Sequence, residues 1–122
     1  MSERMRRVNE QLRQILSEGI AGLADPRLGF VTVTGVEATT DLEHAVVYVQ
    51  VLGNQTRRDK SLAALEHARG ALQEQIGGQA RLRRVPHLTF SYDESLDRGL
   101  RIGELLAEHQ PAEEQPTPDG EE

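Results

Sequence analysis

The sequence predicts an α+β fold with the order helix, strand, strand, helix, strand, helix. Apolar residues recur at spacings of three and four in three separate stretches, the period of a helix with one buried face. In three other stretches they alternate with polar residues, the period of a strand. The connection between the first two strands is short enough for an antiparallel pair. At 122 residues the chain holds one ordinary domain, large enough to bury a core without disulfides or metals.

The first helix is expected over residues 4–24. Met5, Val8, Leu12, Ile15, Leu16, Ile20 and Leu23 form its apolar stripe, and Asp25-Pro26 ends it, because the residue before a proline avoids helical geometry. The first strand is expected from Phe30 to Glu37, with Gly35 putting Val36 out of phase and so marking a bulge. After a turn at Thr39-Thr40-Asp41, a second strand from His44 to Leu52 carries apolar residues on both faces, as a central or doubly covered strand does. A second helix follows Gly53-Asn54-Gln55 and reaches about Ile76, where Gly77-Gly78 ends it. Its stripe is Leu62, Leu65, Ala68, Leu72 and Ile76, with the costly Gly70 in its middle. Leu88, Phe90 and Tyr92 point one way from a third strand, with Pro86 at its start or on a sheet edge. A last helix is expected from about Ser95 to His109, capped by Asp93 or Ser95.

Residues 1–109 are therefore taken as the folded domain and residues 110–122 as a disordered acidic tail rich in proline and glutamate, read as solubilising in preference to a docking motif. The net charge of -6 comes mostly from that tail, which carries five of the 20 acidic residues, so the remainder is close to neutral. Thirteen of the 14 basic residues are arginine. Their planar forks suit phosphate, although a compositional bias of the genome would give the same excess. There is no cysteine, which excludes disulfides, thiolate zinc sites and a cysteine nucleophile. The charged start leads into no apolar stretch of signal-peptide length, and the longest apolar run is Ala45–Val49, so a soluble cytoplasmic protein is expected.

No constellation for catalysis stands out. His44, His67, His87 and His109 lack the spacing of a helical metal pair, and no metal or cofactor is expected. Asp93 with Glu94 and Glu37 with Asp41 read as turn and cap groups. The chain has no phosphate-binding glycine loop and no nucleophile elbow, so an enzyme is not expected. The arginines say more. Arg4, Arg6, Arg7 and Arg13 are expected on the outer face of the first helix, and Arg81, Arg83 and Arg84 precede the third strand. Arg57, Arg58 and Lys60 lead into the second helix, which also carries Arg69. Such clusters are either phosphate contacts or a solvated surface balanced by nearby acids. Phe30, Tyr48, Phe90 and Tyr92 are the only aromatics, and strand phase assigns most of them to the core. An array of stacking rings is therefore not expected, and recognition by backbone and shape fits better.

Taken in order, several stretches resemble the bacterial ribosome-binding factor A family. They are Arg6-Arg7-Val8-Asn9, Leu23-Ala24-Asp25-Pro26-Arg27, Val31-Thr32-Val33-Thr34-Gly35-Val36-Glu37 and Asp41-Leu42-Glu43-His44-Ala45-Val46-Val47-Tyr48-Val49. Ala68-Arg69-Gly70, Leu82-Arg83-Arg84-Val85-Pro86-His87-Leu88-Thr89-Phe90 and Arg101-Ile102-Gly103-Glu104-Leu105-Leu106 complete the set. The resemblance implies a KH-like fold of type II topology, with helices on one face of a three-stranded sheet. It also implies an interhelical kink at Ala68, Arg69 and Gly70 in place of the usual GXXG loop. Gly70 would then serve either packing over the sheet or an RNA contact.

The function implied is that of an assembly factor. It binds the free small ribosomal subunit, assists late maturation and processing of its ribosomal RNA near the 5′ end, and is associated with growth in the cold. On chemical grounds the RNA contacts are expected at Arg4, Arg6, Arg7 and Arg13, with Arg69, Arg81, Arg83 and Arg84 as a second set. Partners are the small subunit and its RNA, with ribosomal proteins and a release GTPase as further candidates, and a monomer is expected. The acidic tail is a candidate competitor for the same arginines. The alternative is a KH-like protein-interaction module with no RNA partner.

Overall fold

The computed structural model describes residues 2–95. The expected final helix, apart from Ser95, and the tail lie outside those residues. Helix α1 spans Glu3–Ala21. Ser2 caps it, its Oγ accepting the Met5 N–H at 3.1 Å. It ends three residues before the expected Ala24. The Gly22 N–H closes back on Glu18 and Gly19, and Leu23 then leaves the axis to pack against the core.

Strand β1 spans Val31–Ala38 and β2 spans His44–Val51. They pair antiparallel, and the register shifts between Val33 and Gly35, so the expected bulge is present. Thr34 is the extra residue, and its insertion lets both Val33 and Val36 face the core. The turn between the strands is held by the Asp41 carboxylate, which accepts from Thr39 Oγ1 at 2.7 Å and Glu43 N–H at 3.0 Å. These bonds, the hydroxyl first, hold its pKa below the usual value. Leu42 takes a left-handed φ of 61° there while its side chain is buried, so core packing offsets the backbone strain. Strand β3, His87–Tyr92, pairs parallel to β2, giving a mixed sheet of order β1-β2-β3 with β2 central, as its two-faced apolar pattern implied.

Helices α2, Gln55–His67, and α3, Arg69–Gln79, divide the single helical stretch at Ala68, where the resemblance placed a kink. Asn54 caps α2 through its side-chain oxygen, which accepts the Arg57 N–H. Helix α3 runs through Gly77-Gly78 rather than stopping there. The Ala80 N–H still reaches Ile76 O at 2.8 Å, and the buried Leu72 and Ile76 anchor the helix where propensity alone disfavours it.

The core lies between the helices and one face of the sheet. Leu12 and Leu16 of α1, Leu65 of α2 and Leu72 and Ile76 of α3 meet Val33, Val47, Val49 and Leu88. On the other face Thr32, Thr34 and Thr89 are exposed and Tyr48 is half-buried. The α+β, KH-like arrangement expected from the sequence is what forms.

Two close approaches set its dimensions. At Gly19 a Cβ would lie 2.9 Å from Leu72 Cδ2 and 2.6 Å from Gln75 Oε1, so glycine is what lets α1 and α3 cross at this spacing. The fully buried Ser61 accepts the Gly29 N–H at 2.9 Å and holds the segment before β1 against α2. Gly19→Val is therefore expected to lower stability by about 1–3 kcal/mol in urea unfolding, through overpacking at the crossing.

The turn after α1 carries a titration signature. Asp25 accepts from the Arg27 side chain at 2.8 and 3.1 Å and from its backbone N–H at 2.9 Å, which lowers its pKa from 3.8 to about 2. The folded state thus favours the ionised form. The stability this contributes is complete above about pH 4 and is lost as pH falls through about 2. Carboxyl-resolved NMR titration is expected to give an Asp25 midpoint near 2, and Asp25→Asn should flatten the stability-pH curve over that window.

Candidate nucleic-acid interface

The first-helix arginines divide into two pairs by helical spacing. Arg6 and Arg13, seven residues apart, line a recess of about 340 Å³ with Asn9, Glu10, Thr34, Gly35 and Val36, placing both beside the β1 bulge. Asn9, itself buried, accepts the Ala38 N–H at 3.0 Å and fixes α1 against this strand. Arg4 and Arg7, three apart, lie outside that recess, although Arg7 shares the Glu3 carboxylate with Arg6.

Most of these guanidinium groups already hold a carboxylate. Arg6 grips Glu3 at 2.5 and 3.2 Å, and Arg7 reaches the same carboxylate at 3.2 Å. Arg13 forks onto Glu10 at 2.5 and 3.0 Å, which lowers the Glu10 pKa and raises that of Arg13. Arg4 is exposed and has no ion pair among the described residues. Exposed pairs one helical turn apart contribute little to stability, so a phosphate can replace the carboxylate at small cost.

The second set is spread along the return path to β3. Arg69 opens α3, half-buried and paired with Glu66, with its Nε buried and without a hydrogen-bond partner. Arg81 and Arg83 are exposed on either side of Leu82, which packs against the core, and neither has an ion pair among the described residues. Arg84 instead spans 2.9 Å to Glu43 and ties this loop to the β1–β2 turn. Arg81 and Arg83 are thus presented outward, while Arg69 and Arg84 also hold the fold.

Residues outside those two sets matter as well. Arg58 stacks 3.6 Å over the Tyr92 ring, whose hydroxyl donates to Gln50, so it is a packing residue. Phe30 departs from the core placement expected for most aromatics and is 72% exposed. Phe90 is buried, and Tyr48 donates its hydroxyl to Glu37. His44 and His87 meet as register partners with rings 6.2 Å apart, a proximity invisible in their spacing. Among the described residues no group of three or more histidine and carboxylate side chains could hold a metal, and no helix is long and apolar enough to cross a membrane.

Gly70 is the informative residue of the kink. It is exposed, its φ is not left-handed, and a Cβ there would meet nothing within 4 Å. The break itself sits at Ala68, with φ -89° and ψ 2°. Packing therefore does not require a glycine at 70. Gly70→Ala is expected to leave the melting temperature unchanged or raise stability by about 0.5–1 kcal/mol, measured by thermal and urea unfolding.

Comparisons with known proteins agree with this architecture. Residues 4–106 match the family model described as ribosome-binding factor A. The ribosome-binding factor A of Desulforamulus reducens is 41% identical over 118 residues, covering 96% of this chain and 98% of the relative. That of Macrococcus caseolyticus is 50% identical over 109 residues, covering 88% and 96%. The crystal structure of ribosome-binding factor A from Thermus thermophilus superposes with a TM-score of 0.66 at 32% identity, over 72% of this chain and 93% of that one. A homology model of the Thermus thermophilus protein, fitted into a cryo-EM map of a 30S complex, superposes with a TM-score of 0.60 at 33% identity, covering 70% of this chain and 90% of that one.

Proposed function

The chain belongs to the ribosome-binding factor A family, and from that premise we propose that it is an assembly factor for the small ribosomal subunit. It binds the free subunit through RNA phosphates, assists late maturation of the 5′-end region of the RNA, and supports growth in the cold. It acts in the cytoplasm as a monomer, by binding rather than by catalysis. Ribosomal proteins and a release GTPase are the further partners this reading expects. The observation that carries it is the family match over residues 4–106, which spans both arginine sets, together with the Thermus relative fitted into a 30S complex.

On this reading Arg4, Arg6, Arg7 and Arg13 contact one stretch of phosphates, and Arg81 and Arg83 another, with Arg69 and Arg84 contributing from their paired positions. Glu3 holds the place of a phosphate between Arg6 and Arg7 until RNA displaces it. Gly70, free of any packing demand, leaves bare backbone at the α2–α3 junction for close approach of RNA. The acidic tail lowers affinity for non-specific RNA by competing for the same cations. A conformer of the RNA is favoured only as far as the protein binds it more tightly than the alternatives.

Co-sedimentation with isolated small subunits, large subunits and joined ribosomes tests the reading. Binding confined to free small subunits and weakening with salt is expected. A folded protein that pellets with no particle would instead point to a protein-interaction module. Reversing Arg6 and Arg7 to glutamate should weaken binding and flatten the salt dependence, the slope falling by about one for each phosphate no longer neutralised. Glu3→Gln, which frees both arginines, should tighten small-subunit binding by about two- to fivefold. Unchanged affinity in both variants would remove the first helix from the interface.

A further inference from the structure

Phe30 and Leu52 are the most exposed large apolar side chains among the described residues, at 72% and 76%. They are neighbours across the open end of the β1–β2 pair, where the Leu52 N–H donates to Phe30 O at 3.0 Å, one step beyond the Val31–Val51 register. Two cations stand beside them. Arg57 and Lys60, one turn apart on α2, form no ion pair among the described residues, whereas Asp59 takes the side-chain amide of Gln55 at 2.8 Å.

The arrangement is held in place from both sides. A Cβ on Gly29 would lie 2.7 Å from Arg57 Cδ, and one on Gly53 would lie 3.1 Å from Arg57 Cβ and Cγ, so the arginine stem runs between two bare backbone segments. Gly53 also needs its φ of 126°, a conformation suited to glycine. Leu52, Arg57 and Lys60 line an open recess of about 420 Å³. Phe30 lines a second recess of about 300 Å³ with Leu23, Leu28 and Val31, together with Asp25, whose carboxylate is held by Arg27.

We propose that these two recesses seat one unstacked nucleotide of single-stranded RNA, its base against Phe30 and Leu52 and its flanking phosphates on Arg57 and Lys60. The proposal rests on the RNA-binding reading above and adds a contact outside both arginine sets. The charge complementarity is direct: two cations without a carboxylate partner among the described residues meet a polyanion. The exposed ring decides between RNA and an acidic peptide, because a base offers it a flat partner, whereas acidic side chains leave it wet. A single ring implies one stacked base and little sequence preference, since every base has a π face.

The test uses the full chain with two probes, isolated small subunits and a fluorescein-labelled oligouridylate, over a range of salt. Phe30→Ala should weaken binding to both by at least about fivefold without changing the salt slope. Lys60→Glu should lower the slope by about one. Both side chains project from the fold, and thermal melting checks that the variants remain folded. If the wild type binds small subunits and both variants match it, this contact is wrong while the assembly-factor reading stands. Weakening by Phe30→Ala on small subunits alone, with the oligonucleotide unaffected, assigns the surface to a protein partner and overturns the RNA contact. A wild type that binds no small subunit removes both readings together.

Discussion

The helical stretch between β2 and β3 is too long for the sheet it must cover. Helices α2 and α3 contribute 13 and 11 residues, joined by Ala68. As one straight rod they would extend about 37 Å at the α-helical rise. Strand β2, with eight residues, is only about 27 Å long. Because β3 runs parallel to β2, the chain must also return to the end of the sheet where β2 began. Breaking the helix at Ala68 satisfies both demands. It lets Leu65 on one segment and Leu72 and Ile76 on the other reach the same core. It brings α3 against α1 at Gly19, and it leaves Arg69 and Gly70 at an outward junction. The one break therefore serves the core, the parallel return and the candidate interface.

Much of this is legible in the residues because periodicity reports burial. The stripe on α1, the bulge at Gly35 and the central placement of β2 all follow from which side chains must leave water. The kink is legible only through family resemblance; the residues alone show a glycine costly in mid-helix. The boundaries that differ share a cause. Gly22 stops α1 early, where Leu23 leaves the axis to pack against the core, while α3 runs through Gly77-Gly78 because the buried Ile76 just before them anchors it and the Ala80 N–H closes back on Ile76. Phe30 is exposed because the register pairing stops at Val31, one residue after it. The placing of Arg6 and Arg13 beside the β1 bulge, and the pairing of His44 with His87, depend on contacts between elements that no local pattern carries.

Electrostatics here works by exchange. Residues 1–109 carry nearly equal numbers of acidic and basic side chains, so on the proposed reading RNA affinity comes from particular cations in particular places rather than from net charge. Glu3 and Glu10 sit within one turn of Arg6, Arg7 and Arg13 and pair with them. The exposed carboxylates hold them only loosely. Arg81 and Arg83 have no such partner among the described residues, and their position is fixed through Leu82 between them. Each set thus mixes arginines held by a nearby carboxylate, such as Arg6 and Arg84, with arginines that have none among the described residues, such as Arg4 and Arg81.

On the assembly-factor reading proposed above, that arrangement bears on release as much as on binding. A strongly basic surface would hold RNA of any conformation, and its affinity would change little as the RNA matured. On the proposed reading, contacts by Arg6, Arg7, Arg13, Arg69 and Arg84 each replace a carboxylate, whereas Arg4, Arg81 and Arg83 have none to replace among the described residues, and useful affinity comes from many contacts made together. Simultaneous contact depends on the RNA holding one shape across the α1 flank, the kink and the loop before β3. A rearrangement that removes a few of those contacts then returns the arginines to Glu3, Glu10 and Glu43, which are within reach already. On the proposed reading, the carboxylates that compete for these arginines make binding depend on RNA conformation, because only a shape that engages many contacts at once outcompetes them.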